Sequence, residues 1–229
     1  MKTIGLIGGL SWLSTLDYYR QLNEMVQNKT NGAATARLVM YSVEFGEIKR
    51  LTQDGDWDTI TGIVTNAAKK IKAAGADCLL IGANTMHKIA DEIQASVNIP
   101  LIHIAEETAK VVSTTGVKKV ALLGTKYTMQ LDFYANKLLD REIEIIIPPK
   151  EDIEYINDTI YNEMSKNIFL PERKSSFLRI INELIERGAE GVILGCTEIP
   201  ILVKQNDVSV AVFDTTQIHT SAAVEFVLK

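Results

Sequence analysis

The sequence is poor in cysteine, in excess positive charge and in long apolar runs. Its 229 residues include two cysteines, so at most one disulfide is possible and a disulfide-stabilised secreted fold is excluded. The net charge of -5 argues against electrostatic capture of nucleic acid or of an anionic membrane. No apolar run approaches the ~20 residues of a membrane span. We therefore expect a cytoplasmic globular protein with no nucleic-acid or membrane partner.

What the sequence does contain is short β-branched runs that alternate with longer stretches of helical period. This alternation is typical of an α/β protein with parallel sheets. The predicted strands are Thr3–Ile7, Arg37–Ser42, Cys78–Ile81, Leu101–Ile104, Lys119–Leu123, Glu142–Ile147, Gly191–Leu194 and Ser209–Phe213. Two aromatic pairs, Tyr18-Tyr19 and Phe133-Tyr134, lie on predicted helices, and we expect them to belong to the core.

The two halves of the chain resemble each other. Lys119–Gly124 repeats the character of Thr3–Gly8, and Gly75–Thr85 aligns without a gap on Gly188–Glu198, about 115 residues later. The repeat predicts two similar parallel-sheet α/β domains related by pseudo-twofold symmetry, with the active site in the cleft between them. We place the first domain at residues 1–99 plus 208–229 and the second at residues 100–207.

The repeated strands end in small and polar residues, Gly82-Ala83-Asn84-Thr85 in one half and Gly195-Cys196-Thr197-Glu198 in the other. Ligands of such sheets bind beyond the carboxyl ends of the strands. A helix that starts there offers backbone N–H groups to a carboxylate or phosphate. The pattern therefore predicts a small anionic ligand.

The two cysteines lie in different settings. Cys196 follows Gly195 at a strand end, where a helix N-terminus is expected to stabilise its thiolate, although an ionised Glu198 would oppose this. We therefore interpret Cys196 as reactive. Cys78 lies among apolar neighbours and is interpreted as structural.

Cofactor and metal motifs are missing. The Gly5–Ser11 segment fits neither a dinucleotide loop nor a phosphate-binding P-loop, which leaves either a tight turn or a turn whose N–H groups and Ser11 contact the ligand. None of the three histidines has the spacing of a zinc pair, so no metal is expected. His87 follows a strand end and is expected near the site, whereas His103 and His219 are interpreted as packed or surface residues.

Several of these segments together resemble the aspartate/glutamate racemase family of cofactor-independent amino-acid racemases. The similar segments are Ile4–Gly9, Gly8–Trp12, Ala83–His87, Leu122–Thr125, Leu194–Pro200 and Phe213–Thr215. The resemblance implies proton transfer at the α-carbon by two cysteines, one on each face, with Cys196 as the second and facing the α-proton of the L-amino acid. It also implies a homodimer, aspartate or glutamate as substrate and no cofactor. The implied substrate-binding residues are Leu10, Ser11, Asn84, Thr85, Thr125 and Thr197.

The chain departs from this family pattern at the first catalytic cysteine. That position is Ala83, which can neither take nor give a proton. Cys78 cannot replace it, because five residues of extended strand span roughly 16 Å. An engineered knock-out, a water that replaces the base, and a relative repurposed for one-base chemistry all remain open. We therefore expect reduced or absent racemisation, with a decarboxylase-like one-base enzyme or a non-catalytic binder of dicarboxylic amino acids as alternatives.

Overall fold

The computed structural model describes all residues, Met1–Lys229, and the chain divides into two compact units. The first unit comprises Met1–His103 and His219–Lys229, and the second comprises Ile104–Ile218. Each unit is an α/β structure on its own parallel sheet, with three strands in the first unit and four in the second. The prediction of two parallel-sheet α/β halves is confirmed.

The sheet of the first unit has the order β2-β1-β3. Its strands are β1 (Ile4–Gly8), β2 (Leu38–Ser42) and β3 (Cys78–Ile81). Residues of β1 and β3 are buried on both faces of the sheet, which is why these strands consist of continuous apolar runs. The helices are α1 (Trp12–Lys29), α2 (Phe45–Asp54), α3 (Trp57–Ala73), a 3-10 turn (Thr85–Ile89) and α4 (Ala90–Ser96).

The sheet of the second unit has the order β5-β4-β6-β7. Its strands are β4 (Lys119–Gly124), β5 (Glu144–Ile146), β6 (Gly191–Gly195) and β7 (Ala211–Asp214). The helices that begin in this unit are α5 (Ile104–Thr114), α6 (Lys126–Gln130), α7 (Asp132–Leu139), α8 (Lys150–Asn162), α9 (Pro171–Glu186), α10 (Ile199–Leu202) and α11 (Thr215–Leu228). Two 3-10 turns, Met164–Lys166 and Gln205–Asp207, lie between them. None of the helices in the chain combines the length and apolar character needed to cross a bilayer.

The structure explains why the Gly-Ala-acidic segment occurs twice. Gly75 and Gly188 follow α3 and α9 with φ angles of +94° and +98°, a conformation that favours glycine. The acidic residue two positions later ties the next strand to its neighbour. Asp77 accepts from the N–H of Thr3 at 2.6 Å, and Glu190 accepts from the N–H of Lys118 at 2.7 Å. A glycine with a positive φ angle and an acidic residue that accepts a backbone hydrogen bond therefore precede or begin the third strand of each unit.

Two predicted features differ from the structure. The sequence predicts Ser209–Phe213 in the first domain, but β7 pairs with β6, so the second unit extends to Ile218 instead of ending at residue 207. The predicted strand Leu101–Ile104 is reduced to one parallel bridge between Leu79 and Leu101, because α5 already begins at Ile104. An apolar run gives the type of an element but not the sheet that it joins.

The aromatic pairs are only partly buried. Tyr18 on α1 and Tyr134 on α7 are fully buried in the cores of their units, as predicted. Tyr19 is 53% exposed, so the expectation that both members of the first pair belong to the core is wrong for this residue. Phe133 is partly buried and packs against the core of the second unit. Helical periodicity accounts for the result, since adjacent residues on a helix point about 100° apart.

Candidate active site

In the first unit, the strand end after β3 brings together most of the predicted residues. Asn84 and Thr85 are buried at the start of the 3-10 turn, and Ala83 is partly buried with its methyl group against the apolar core. The N–H of Gly82 donates to the carbonyl of Ile7 at 2.9 Å, which continues the pairing with β1 one residue beyond β3. Ala83 carries no group that transfers a proton.

The turn after β1 lies beside this strand end. Gly9 has a φ of +77°, and a Cβ there would meet the carbonyl oxygen of Val43 at 2.1 Å, so the turn requires glycine. Ser11 caps α1 by accepting from the N–H of Ser14, and the hydroxyl of Ser14 donates to the carbonyl of Gly82 at 2.7 Å. The buried residues Leu10 and Ser11 are thereby tied to the Ala83–Thr85 strand end.

The three histidines form one cluster, which the sequence did not indicate. The ring of His87 lies 4.8 Å from that of His103 and 5.5 Å from that of His219, measured between centroids. Nδ1 of His87 is 2.9 Å from the carbonyl oxygen of Ala83, so this nitrogen carries the proton and donates. His87 therefore anchors the backbone of the Ala83 strand end.

His219 is fixed in one tautomer by its two partners. Its Nε2 lies 2.7 Å from the carbonyl oxygen of Ile102 and must donate to it, so Nδ1 of the neutral ring accepts from the hydroxyl of Tyr18, also at 2.7 Å. Burial is the main cause that lowers the pKa of His219 to about 3 and the pKa of His87 well below its usual value. Both rings are therefore neutral near pH 7.

This cluster predicts acid sensitivity of the first unit. The unfolded chain protonates both histidines near pH 6.5, whereas the folded chain keeps His219 neutral down to about pH 3, so stability falls as the pH falls below 6.5. The expected loss is about 1.4 kcal/mol per pH unit for each histidine. Urea unfolding followed by the fluorescence of Trp12 and Trp57 measures it. His219→Gln should reduce the change in the free energy of unfolding with pH by the contribution of about one proton. An unchanged pH dependence would contradict the conclusion that folded His219 stays neutral.

In the second unit, the strand end after β6 carries a compact polar group. The thiol of Cys196 donates to Oε2 of Glu198 at 3.0 Å, and the hydroxyl of Thr197 donates to the same oxygen at 2.7 Å. All three residues are buried. The structure thus pairs the predicted cysteine with a carboxylate that the sequence reading treated only as an opposing charge.

The protonation state of Cys196 differs from the prediction. Burial is the largest cause that raises the pKa of its thiol well above the usual value, followed by the charge of Glu198. The backbone N–H groups of Thr197 and Glu198 oppose these effects without overcoming them. The stabilisation of the thiolate that the sequence predicts at the start of α10 is therefore outweighed by burial and by the charge of Glu198. Cys196 is a neutral thiol at rest.

Thr125 and two tyrosines complete the surroundings of this strand end. Gly124 pairs with Gly195 in register, so Thr125 and Cys196 follow neighbouring strands. The hydroxyl of Thr125 caps α6 by accepting from the N–H of Thr128. Burial, and then the charges of Cys196, Tyr127 and Glu198, raise the pKa of the Tyr161 phenol.

The charge of Glu198 leads to a labelling prediction. Glu198→Gln removes the charge that raises the pKa of Cys196 and keeps the shape of the side chain. The alkylation rate of Cys196 by iodoacetamide at pH 8 should therefore rise by about tenfold for each unit by which the pKa falls. Mass spectrometry locates the label. Glu186→Gln, at an exposed position, controls for net charge, and an equal rise in both variants would contradict the prediction.

The predicted site residues thus form one group in each unit. Leu10, Ser11, Ala83, Asn84 and Thr85 belong to the first, and Thr125, Cys196 and Thr197 to the second. The sequence did not predict the hydrogen bond between Cys196 and Glu198 or the electrostatic interaction of Tyr161 with Cys196, Tyr127 and Glu198. The sequence could have indicated Tyr127, because this residue closely follows the end of β4. Nothing in the sequence indicates Tyr161, which lies on α8.

Comparisons with known proteins identify the family of the chain. Residues 7–223 match the model of the Asp/Glu/hydantoin racemase family. The chain is 44% identical in sequence to a candidate Asp/Glu racemase from Yersinia pestis whose crystal structure is known. The two structures align with a TM-score of 0.92 over the full length of both chains. An aspartate racemase homologue from Pyrococcus horikoshii is 38% identical with a TM-score of 0.86, again with full coverage of both chains. The broad specificity amino-acid racemase RacX of Bacillus subtilis is 25% identical over 70% of this chain and 69% of its own length. The chain belongs to the Asp/Glu/hydantoin racemase family.

Proposed function

We propose that this protein acts on the α-carbon of aspartate or glutamate without a cofactor, and that Cys196 is its single proton-transferring group. The observation that carries the proposal is the buried pair of Cys196 and Glu198 at the end of β6, in a chain whose other strand end presents Ala83. In this proposal the protein exchanges the α-proton of the L-enantiomer and racemises slowly or not at all.

The hydrogen bond between Cys196 and Glu198 supplies a route to the reactive thiolate. The thiol proton moves to Oε2 of Glu198, and the thiolate sulfur then takes the α-proton of the substrate. Thr197 donates to the same oxygen and stabilises the carboxylate before transfer. The sulfur exchanges its new proton with solvent and returns one to the same face of the α-carbon, so configuration is retained.

Neither His87 nor Cys78 provides a second base in this proposal. His87 holds the carbonyl of Ala83 through its Nδ1 proton, and burial lowers the pKa of the ring well below its usual value, which makes it a weak base. Burial raises the pKa of Cys78 to about 12, and its side chain is fully buried within β3. A carbanion formed from the L-enantiomer therefore receives no proton from the face that Ala83 would serve.

Polar residues at both strand ends support an acidic amino acid as the ligand. Asn84, Thr85, Thr125 and Thr197 are buried polar residues, and amide and hydroxyl groups donate hydrogen bonds to carboxylates. The relatives described as Asp/Glu or aspartate racemase proteins point to the same substrate class. We propose that Leu10 and Ser11 border the ligand, since the bond between Ser14 and Gly82 holds their turn against the Ala83 strand end.

Proton NMR in D₂O tests the proposal. The protein is incubated with each enantiomer of aspartate, glutamate and alanine, and the loss of each α-proton signal is followed. We expect loss from L-aspartate or L-glutamate, and much slower loss from alanine. The second candidate function is non-catalytic binding of aspartate or glutamate, which the lack of a proton-transferring group at Ala83 favours. Isothermal calorimetry measures this binding. Tight binding of aspartate or glutamate without exchange would establish a non-catalytic binder and contradict the proposed catalysis.

A further inference from the structure

His87 is a buried histidine that transfers no proton in the proposed reaction. Its side chain reaches back four residues along the chain, where Nδ1 lies 2.9 Å from the carbonyl oxygen of Ala83. Nε2 of the same ring is buried and has no hydrogen-bond partner. A buried polar atom without a partner costs stability, and an apolar side chain of similar size would avoid that cost. What a histidine contributes at this position is therefore the donor to the Ala83 carbonyl.

The rings of His103 and His219 hold the ring of His87 in place. Both make edge contacts with it, at distances between ring centroids of 4.8 and 5.5 Å. His219 is itself fixed between the hydroxyl of Tyr18 and the carbonyl of Ile102. The position of Nδ1 of His87 is thereby set by packed side chains from outside the strand end.

Donors hold three successive carbonyl groups at this strand end. The hydroxyl of Ser14 donates to the carbonyl of Gly82 at 2.7 Å. His87 holds the next two, because Nδ1 donates to Ala83 and the backbone N–H donates to Asn84 at 3.0 Å. In a trans peptide group the N–H points away from the carbonyl, and the chain has no cis peptide bond. The bond to the Ala83 carbonyl therefore also sets the direction of the N–H of Asn84, which belongs to the same peptide group.

The same bond strengthens the N–H of Asn84 as a donor. A hydrogen bond accepted by the carbonyl of an amide polarises that amide, so its N–H binds an acceptor more strongly. A carboxylate gains most from this, because hydrogen bonds to an ionised acceptor are stronger than those between neutral groups. The oriented and polarised peptide group thus suits the anionic ligand that the neighbouring side chains of Asn84 and Thr85 are proposed to bind.

We propose that His87 is a positioning residue, which directs the N–H of Asn84 toward a carboxylate of the bound amino acid by holding the carbonyl of Ala83. The inference rests on the proposed function for the identity of the ligand. His87 touches neither the α-carbon nor the transferred proton in this proposal. It should therefore change the affinity for the amino acid and leave kcat for α-proton exchange nearly unchanged.

Two variants of similar size separate the hydrogen bond from packing. His87→Asn keeps a donor, because the amide nitrogen of asparagine is bonded to Cγ as Nδ1 of histidine is. His87→Leu removes the donor, and both variants lose the ring contacts with His103 and His219. Tyr18→Phe serves as a control, since it breaks the bond to His219 and weakens the cluster while His87 keeps its bond to Ala83.

Isothermal calorimetry with L-aspartate and L-glutamate measures the dissociation constants, and α-proton exchange in D₂O gives KM and kcat. We expect His87→Leu to raise the dissociation constant and KM by about tenfold, the effect of one hydrogen bond to a charged group, with kcat nearly unchanged. His87→Asn should recover most of the affinity, and Tyr18→Phe should retain it. A purely structural part for His87 would instead lower kcat at unchanged KM, through the unfolded fraction.

The results that would overturn this proposal differ from those that would overturn the proposed function. Equal dissociation constants for the unmodified chain and His87→Leu would overturn the positioning role, and so would an equal loss of affinity in His87→Asn. Binding without exchange would contradict the proposed catalysis, while the dissociation constants would still decide the role of His87. An unmodified chain that binds neither amino acid would overturn both. Circular dichroism verifies folding, and His87→Met replaces the leucine variant if that variant does not fold.

Discussion

Replacing Ala83 with cysteine is expected to raise the racemisation rate of aspartate or glutamate by about two to four orders of magnitude, the usual effect of one general acid or base. The unmodified chain has a proton donor at the end of β6 but only a methyl group at the end of β3. A thiol at position 83 would supply the second proton. Circular dichroism or chiral chromatography of the amino acid measures the rate.

A matched pair of variants separates proton transfer from packing at this position. Ala83→Thr adds a hydroxyl and should recover part of the racemisation, whereas Ala83→Val adds the same bulk without a proton and should recover none. Ala83 is partly buried and packs against the core of the first unit, so circular dichroism checks that both variants fold. Equal rates for the threonine and valine variants would show that the position acts through packing. Rapid racemisation by the unmodified chain would show that another group supplies the proton.

Replacing Cys196 with alanine is expected to lower α-proton exchange by at least about two orders of magnitude. The variant removes the only thiol that contacts a carboxylate and leaves Glu198 and Thr197 in place. Cys196→Ser keeps a hydrogen-bond donor to Glu198 but has a far less acidic group, so it should lose nearly as much. Mass spectrometry of the deuterated amino acid gives the exchange rate.

Cys78→Ala is the control for this loss, because Cys78 lies within β3 and its thiol has no proposed part in the reaction. Its exchange rate per folded molecule should match that of the unmodified chain. A greater loss in Cys78→Ala than in Cys196→Ala would reverse the assignment of the catalytic cysteine. Glu198→Gln provides an independent view, since it should accelerate labelling of Cys196 and yet slow exchange if the carboxylate receives the thiol proton.

The sequence allowed most of the fold to be predicted because the repeat made each half a check on the other. The alignment of Gly75–Thr85 on Gly188–Glu198 located the third strand of both units and the two strand ends. The sheet joined by the last strand could not be predicted. The apolar pattern of Ala211–Asp214 is compatible with either parallel sheet. Only the pairing with β6 in the structure shows that this strand belongs to the second unit.

The candidate site was predicted less completely than the fold. The position of Cys196 at a strand end marks it as a candidate reactive cysteine. Its protonation depends on burial and on the contact with Glu198, which a sequence does not give. The cluster of His87, His103 and His219 joins residues that are far apart in the chain, so no spacing indicated it. The loss of stability in acid is a consequence of that cluster.

The most direct measurement of the central claim is the chirality of aspartate and glutamate deuterated by the unmodified chain in D₂O. Each enantiomer is incubated separately, and chiral chromatography coupled to mass spectrometry reports deuterium and configuration in the same molecule. The account predicts deuterium in the L-amino acid with its configuration retained, and almost none in the D-amino acid. Deuterium that accumulates in the opposite enantiomer as fast as in the starting one would show two-sided proton transfer and contradict the account.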